Sequence, residues 1–198
     1  MTHSITHRLG MLLLPALLSL TVTQTTNAQT AYKAGGKPEM TLYGTSTMHD
    51  WTMVAHSYSA NAQITLAGNE LTGFNALTVV LPVKNLKSEH DGMNDNAYEA
   101  LKADDHKDIV FKLSNAKITA SGGGKYQVTA SGTLTIAGAT RPVTIISAAL
   151  VNPDGSVSCS GSVPLKLSEY GIARPSFMLG TMKVGDALTL NYALILVK

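Results

Sequence analysis

The fold is decided by residues 125–149, which read KYQVTASGTLTIAGATRPVTIISAA. Apolar residues alternate with Gln, Thr and Ser from Tyr126 to Ile136, the period-two pattern of a strand with one buried and one wet face. The segment 137–140 interrupts this alternation, and 141–146 resumes it with residues that favour extended backbone. The pattern predicts two strands joined by a tight turn.

The rest of the chain repeats this pattern around one short helix. Met93, Ala97, Ala100 and Leu101 fall at i, i+4, i+7 and i+8, which places them on one helix face. After a leading segment, 31–39, further strands are predicted at 40–44, 51–66, 74–83, 109–114, 157–167 and 188–196. Parallel neighbours would need crossover helices, so we predict about eight antiparallel strands, forming a sandwich or a closed barrel.

The N-terminus has the layout of a secretory signal peptide. Arg8 precedes an apolar run, 9–20, and the small residue Ala28 follows at a suitable cleavage position. The run is too short for a spanning helix, which needs about 20 apolar residues, and no other stretch is apolar enough. We predict a signal peptide over 1–28 and a periplasmic or secreted mature domain over 29–198.

The charge of the mature chain is nearly balanced. Removal of the signal peptide removes one basic and no acidic residue, leaving fourteen Lys plus Arg against thirteen Asp plus Glu. Capture of nucleic acid or of an anionic membrane needs a basic patch, so we expect neither as a partner. The single cysteine, Cys159, forms no intrachain disulfide and lies too far from the cleavage site to carry a lipid anchor.

Four motifs occur in a specific order along the mature chain. They are STMHDW at 46–51, NAYEALKA at 96–103 leading to Ile109-Val110-Phe111, GTLTIAGATRPV at 132–143, and Tyr170-Gly171-Ile172 followed by Gly185-Asp186. In this order they resemble the YceI-like family over essentially the whole mature chain. The resemblance implies an all-β, eight-stranded antiparallel up-and-down (lipocalin-like) β-barrel with one short helix. It also implies that an elongated cavity holds an amphiphile with a long isoprenoid or acyl tail.

Candidate ligand-binding residues follow from the inward positions of such a barrel. Small inward residues leave space, and methionines with aromatics suit a lining that adapts to a flexible tail. The small residues are Ala130, Gly132, Cys159, Gly161 and Val163. The two arginines of the mature chain are candidates for contacting a head group. The full set is Trp51, Met53, Phe74, Phe111, Leu113, Tyr126, Leu134, Ile136, Arg141, Arg174, Phe177, Met178 and Met182.

A catalytic alternative rests on His49, Asp50 and Ser46, which supply a base, a carboxylate and a hydroxyl. Adjacent residues of an extended segment point to opposite faces, so the first two side chains would not meet, and no Gly-x-Ser-x-Gly motif is present. We therefore favour a structural role for His49 at the barrel rim, beside Trp51. A hydrolase or isomerase acting on a lipid-like substrate stays as the alternative.

Metal and redox chemistry find little support in the sequence. The four histidines of the mature chain lack tight metal-ligand spacing. Cys159 falls on the apolar face of its strand, which favours a small buried hydrophobe over a redox thiol. We expect no metal and no cofactor.

The leading hypothesis is therefore a non-enzymatic, exported protein that holds, sequesters or transports a long-chain lipid. An isoprenoid, a quinone or a fatty-acid derivative would fit the implied cavity. A structural or stress-related envelope protein with a filled core is a third reading. The sequence leaves the oligomeric state open between a monomer and a homodimer.

Overall fold

The computed structural model describes residues 29–177 and 180–198, so the predicted signal peptide lies outside the described residues. This part of the chain contains eleven strands, one α-helix, α1 (Asp91–Ala100), and two short 3-10 helices, Val83–Asn85 and Leu167–Tyr170. The strands are β1 (Thr30–Ser46), β2 (Trp51–Ala55), β3 (Ser59–Ala67), β4 (Glu70–Pro82), β5 (Leu86–Lys87), β6 (Asp108–Gly122), β7 (Lys125–Ile136), β8 (Ala139–Val151), β9 (Val157–Lys166), β10 (Ser176–Phe177) and β11 (Met182–Val197).

Eight of these strands close into a ring. Each of β1, β3, β4, β6, β7, β8, β9 and β11 pairs antiparallel with the next, and β11 returns to pair with β1. The short strands β2, β5 and β10 extend the sheet beyond the ring. The prediction of an eight-stranded antiparallel up-and-down barrel with one short helix is confirmed.

The hairpin predicted over 125–149 is confirmed as β7 and β8, which pair from Lys125–Leu150 to Ile136–Ala139. The two connecting residues, Ala137 and Gly138, both have positive φ, 48° and 81°. Two positive φ values give a tight turn whose twist matches that of the paired strands. Alternate residues of β7 are buried inside the barrel, as the period-two pattern requires.

Several strand boundaries differ from the prediction; among them, β6 continues to Gly122 rather than Ser114 because it pairs with β7 along that length. The chain is extended from Thr30 rather than Met40, because 30–33 pair with β3 while 40–44 pair with β2. The predicted single strand 51–66 is wrong, since residues 56–58 separate β2 from β3. β11 begins at Met182 rather than Leu188 because Ser46 and the segment 176–177 supply partners for its first residues.

One end of the barrel is closed by tightly packed side chains. Tyr32, Ile64, Val157 and Leu196 are each at most 1% exposed there. The hydroxyl of Tyr32 donates a hydrogen bond of 3.0 Å to the carbonyl of Gly155, which lies in the turn between β8 and β9. Access to the interior is therefore from the opposite end.

Helix α1 lies across that opposite end, which we call the mouth. The buried side chain of Asn94 accepts hydrogen bonds from the Ser88 amide (2.7 Å) and the Ser88 hydroxyl (3.0 Å). The hydroxyl of Tyr98 donates to the carbonyl of Leu86 at 2.8 Å. These bonds fix one side of the helix to the segment that precedes it. The predicted apolar face of the helix therefore points toward the barrel interior.

Candidate functional site

The barrel interior contains three cavities in line, which share lining residues. A mouth cavity of about 420 Å³ lies beneath α1, a neck of about 80 Å³ follows, and an inner cavity of about 110 Å³ occupies the middle of the barrel. The mouth and the neck share Leu42, Leu86, Leu101, Leu167, Ile172 and Leu188. The neck and the inner cavity share Leu81, Ile109, Leu134 and Leu190. The residues shared between neighbouring cavities are all apolar, so only apolar side chains stand between one cavity and the next; we call this row of three cavities the apolar passage.

The depth of this passage can be read along β11. Val184 lines the mouth cavity and Tyr192, eight positions later, lines the inner cavity. At about 3.4 Å per residue the two lie roughly 27 Å apart along the strand. With the usual tilt of barrel strands, about 40°, this corresponds to roughly 20 Å along the barrel axis.

The mouth cavity is lined by the apolar face of α1 and by residues of β1, β2 and β11. Met93, Ala97, Ala100 and Leu101 contribute from the helix and its end, as the helical spacing predicts. The predicted site residues Trp51, Met53 and Met182 lie opposite them. The polar groups at this cavity come from Ser46, His49, His90 and Asn96, and the described residues that line it include no Lys, Arg, Asp or Glu.

The position of Trp51 is fixed by its neighbour across the β1–β2 pair, Gly44. A Cβ atom on Gly44 would lie 2.1 Å from the indole ring, so the ring rests directly on the glycine backbone. The indole N–H donates a 3.0 Å hydrogen bond to the carbonyl of Thr45. The indole is thus held rigidly at the rim, with its polar atom satisfied by the backbone.

The group Ser46, His49 and Asp50 forms a turn rather than a catalytic arrangement. The Ser46 hydroxyl donates to the backbone carbonyl of His49 at 2.8 Å and accepts from the His49 amide at 3.2 Å. The Nδ1 atom of His49 lies 2.9 Å from the backbone carbonyl of Asp50, so the Asp50 carboxylate does not orient the imidazole. Both partners that a hydrolase would need are engaged with the backbone of the turn.

The neck and the inner cavity are lined by five of the thirteen predicted site residues. Phe74, Phe111 and Leu113 line the inner cavity, Leu134 lines both, and Ile136 lines the neck. The small residues Ala130, Cys159 and Val163 line the inner cavity as predicted. Gly132 and Gly161 do not add space, because the Phe111 ring lies against one and the Tyr192 side chain against the other.

Five predicted residues do not line any of the three cavities as described: three lie elsewhere in the fold, and the side chains of two are not described. Tyr126 lies toward the closed end, where its hydroxyl accepts a 3.1 Å hydrogen bond from the Leu71 amide. Arg141 and Arg174 are exposed and line none of the three cavities; the Arg141 Nε–H donates to the carbonyl of Glu169 at 2.7 Å. Met178 and the side chain of Phe177 lie outside the described residues.

Sequence reasoning did not name several lining residues as site candidates. Leu190 and Tyr192 lie on the inward side of β11, and Ser147 lies on the inward side of β8. Strand periodicity identifies such positions once the inward face of each strand is known, so the signal was present. His90 carries no such signal, because the fold of the 88–90 segment brings it to the mouth.

The titratable groups around the inner cavity are held neutral by burial. Burial raises the pKa of the Cys159 thiol to about 12. It also raises the pKa of Tyr58 to about 12, and the Tyr58 hydroxyl donates to the carbonyl of Ala193 at 3.0 Å. Among residues 29–177 and 180–198, no three His, Cys, Asp or Glu side chains stand close enough together to hold a metal ion.

A closed antiparallel barrel with an apolar interior open at one end defines the class of lipocalin-like proteins. The sequence matches the family model described as YceI-like domain over residues 22–196, so the chain belongs to the YceI-like family. A comparison with curated proteins returned no significant match. In the described part of the chain, no helix has the length and apolar character needed to cross a membrane.

Solved structures of similar fold include proteins of three bacteria. A crystal structure of BcnA from Burkholderia cenocepacia has a TM-score of 0.62 and 20% identity, and the match covers 80% of this chain and 95% of that one. A domain from Saccharophagus degradans, described as polyisoprenoid binding and implicated in plant cell wall breakdown, has a TM-score of 0.63 at 11% identity, covering 85% and 98%. The Campylobacter jejuni YCEI protein has a TM-score of 0.54 at 21% identity, covering 72% and 82%.

Proposed function

We propose that this protein binds one long-chain amphiphile, with the tail in the barrel and the polar end at the mouth. The observation that carries the proposal is the apolar passage from the mouth through the neck to the inner cavity. The description of the Saccharophagus degradans domain as polyisoprenoid binding supports an isoprenoid tail. A quinone or a fatty-acid derivative has the same division into an apolar tail and a polar end.

Burial of the tail supplies the affinity. Each buried methylene contributes roughly 0.8 kcal/mol, so about ten such groups suffice for tight binding without a charged contact. The absence of charged side chains from the described lining of the mouth suits a head group that is uncharged or that stays in water. The protein would hold, sequester or carry this lipid without chemical conversion, since Ser46 and His49 are engaged with the backbone of their own turn.

The test is mass spectrometry of an organic extract of the purified protein, followed by uptake of an isoprenoid alcohol. Ala130→Phe places a ring in the inner cavity, and we expect it to abolish uptake of the long chain. Ala148→Phe makes the same change on the exposed outer face of β8 and should leave uptake unchanged. Repeated absence of any amphiphile from the extract, together with no uptake by the wild-type protein, would refute the proposal.

Export is part of the same proposal. The apolar run at 9–20 and Ala28 support removal of 1–28 and release of the domain into the periplasm or the medium. Intact-mass measurement of the protein recovered from its native host should give a chain that begins at Gln29. Recovery of the full-length chain from the cytoplasm would contradict export and would leave lipid binding unaffected.

A further inference from the structure

The inner cavity contains one polar spot in an otherwise apolar lining. Among the described residues that line it, three side chains carry a polar or thiol group: Ser147, Tyr192 and Cys159. The Ser147 and Tyr192 hydroxyls are hydrogen-bonded to each other. Ser147 is only 8% exposed, so this pair lies deep in the barrel rather than at its surface.

The geometry of three neighbouring strands builds this pair. Ser147 on β8 is paired with Gly161 on β9, and Gly161 is paired with Tyr192 on β11. A Cβ atom on the central glycine would lie 2.6 Å from the Tyr192 hydroxyl oxygen. The Tyr192 side chain therefore crosses β9 at Gly161, a position without a side chain, in order to reach Ser147, and any other residue at position 161 would block it.

The pair has one hydroxyl hydrogen more than it uses. Two hydroxyls carry two donor hydrogens and spare lone pairs, and the bond between them uses one hydrogen. Within the described part of the chain, neither hydroxyl oxygen makes a second hydrogen bond. A donor that faces an apolar cavity is costly to leave unpaired. A ligand atom that accepts this hydrogen therefore binds there more favourably than a methyl group at the same place.

We propose that Ser147 and Tyr192 form an inner polar subsite for an uncharged oxygen function, a hydroxyl or a carbonyl, carried near the end of the tail that enters the barrel first. This inference rests on the proposed function, because it concerns the same cavity. It defines the ligand class further as a long chain with a polar group at the mouth and a second oxygen roughly 20 Å deeper along the axis.

The experiment compares hexadecanoic acid with its ω-hydroxy derivative on ligand-stripped protein. The wild-type protein should bind the ω-hydroxy chain at least as tightly as the plain chain. The double variant Ser147→Ala with Tyr192→Phe removes both hydroxyls and keeps the shape of the lining, a change that is close to neutral for folding. There the ω-hydroxyl has no partner, and we expect the ω-hydroxy chain to bind roughly tenfold more weakly than the plain chain.

Tyr58→Phe is the matched control. It removes a buried phenolic hydroxyl whose partner is the Ala193 carbonyl and which does not line the three cavities. The ratio of the two affinities should stay at its wild-type value in this variant. An unchanged ratio in the double variant, with the plain chain still bound, overturns the subsite and leaves the proposed function intact. Failure of the wild-type protein to bind either chain overturns both.

Discussion

At the scale of single residues, Asp186 fastens the segment after β9 to β11. One carboxylate oxygen accepts from the Ser168 amide at 2.8 Å, and the other accepts from the Ser168 hydroxyl at 2.7 Å. The hydrogen bonds from the Ser168 hydroxyl and amide, in that order, hold the pKa of Asp186 below its ordinary value of 3.8, with smaller help from Arg174 and Lys166. Position 168 follows Leu167, which lines the mouth cavity, so this carboxylate stabilises part of the wall of the mouth.

The depressed pKa of Asp186 predicts an acid-dependent contribution to stability. Because the folded-state pKa lies below the unfolded-state value of 3.8, the contribution is present above pH 3.8 and is lost as the pH falls through the folded-state pKa. We expect Asp186→Asn to lower the thermal midpoint near neutral pH and to reduce the loss of stability on acidification. Melting curves between about pH 7 and pH 2 measure this. The control is Asp105→Asn, which removes a charge from an exposed site. If both variants change the dependence of the melting temperature on pH equally, the acid-dependent stability does not come from Asp186.

Arg141 is a predicted head-group contact that lines none of the three cavities. The prediction rests on its residue type and on its position at a turn near a predicted cavity. In the fold its side chain donates to the backbone carbonyls of Glu169 and Thr140, at 2.7 and 3.2 Å. Thr140 is the neighbouring residue, but Glu169 is 28 residues away in the sequence. Only the tertiary fold brings the Glu169 carbonyl within reach of the arginine.

At the scale of elements, α1 forms one wall of the mouth and depends on Asn94 for its position. The side chain of Asn94 is 4% exposed and receives both hydrogen bonds of Ser88. Asn94→Ala leaves the Ser88 amide without its acceptor, which should cost about 1–3 kcal/mol. We expect faster amide hydrogen exchange over 88–103 and faster release of a bound lipid, while the closed end of the barrel keeps its protection.

Asp95→Ala is the control for this element, because it changes the next, exposed residue of the same helix. It should leave both the exchange over 88–103 and the lipid release rate near their wild-type values. If Asn94→Ala speeds exchange equally at the mouth and at the closed end, the asparagine acts on the whole barrel and not on the position of the helix.

Strand periodicity predicted the elements whose two faces differ in solvent exposure, β7 and β9 above all. It failed where pairing partners decide the conformation. The leading segment 31–39 has no alternation, yet β3 and β11 pair with it and a register shift lies between Gly35 and Glu39. The break at 56–58 occurs because β2 and β3 pair with different halves of β1, and Tyr58 then turns inward to bond Ala193.

At the scale of the whole molecule, the barrel combines one end closed by buried side chains with an apolar cavity at the other end. The ring has no free edge strands, since β11 returns to pair with β1, so the backbone hydrogen bonds of the wall are complete without a ligand. The lining was predictable in part: Phe74, Phe111, Leu113 and Leu134 follow from inward positions, whereas the division into mouth, neck and inner cavity depends on how α1 and the segment 167–172 pack over the ring. The alternation of apolar and polar residues within one element does not determine how that element packs over the ring.

A barrel of this kind should be measurably less stable when its passage is empty. A lipid that binds only the folded state stabilises it by about 2.7 kcal/mol at one hundred times its dissociation constant. For a domain of this size each kcal/mol raises the melting temperature by about 2–4 °C, so we expect a rise of about 5–10 °C when ligand-stripped protein is refilled with an isoprenoid alcohol. Differential scanning calorimetry at several lipid concentrations measures the shift. Ala130→Phe, with its inner cavity filled, should melt at a temperature that added lipid does not change; a shift as large as that of the wild-type protein would place the lipid outside the inner cavity.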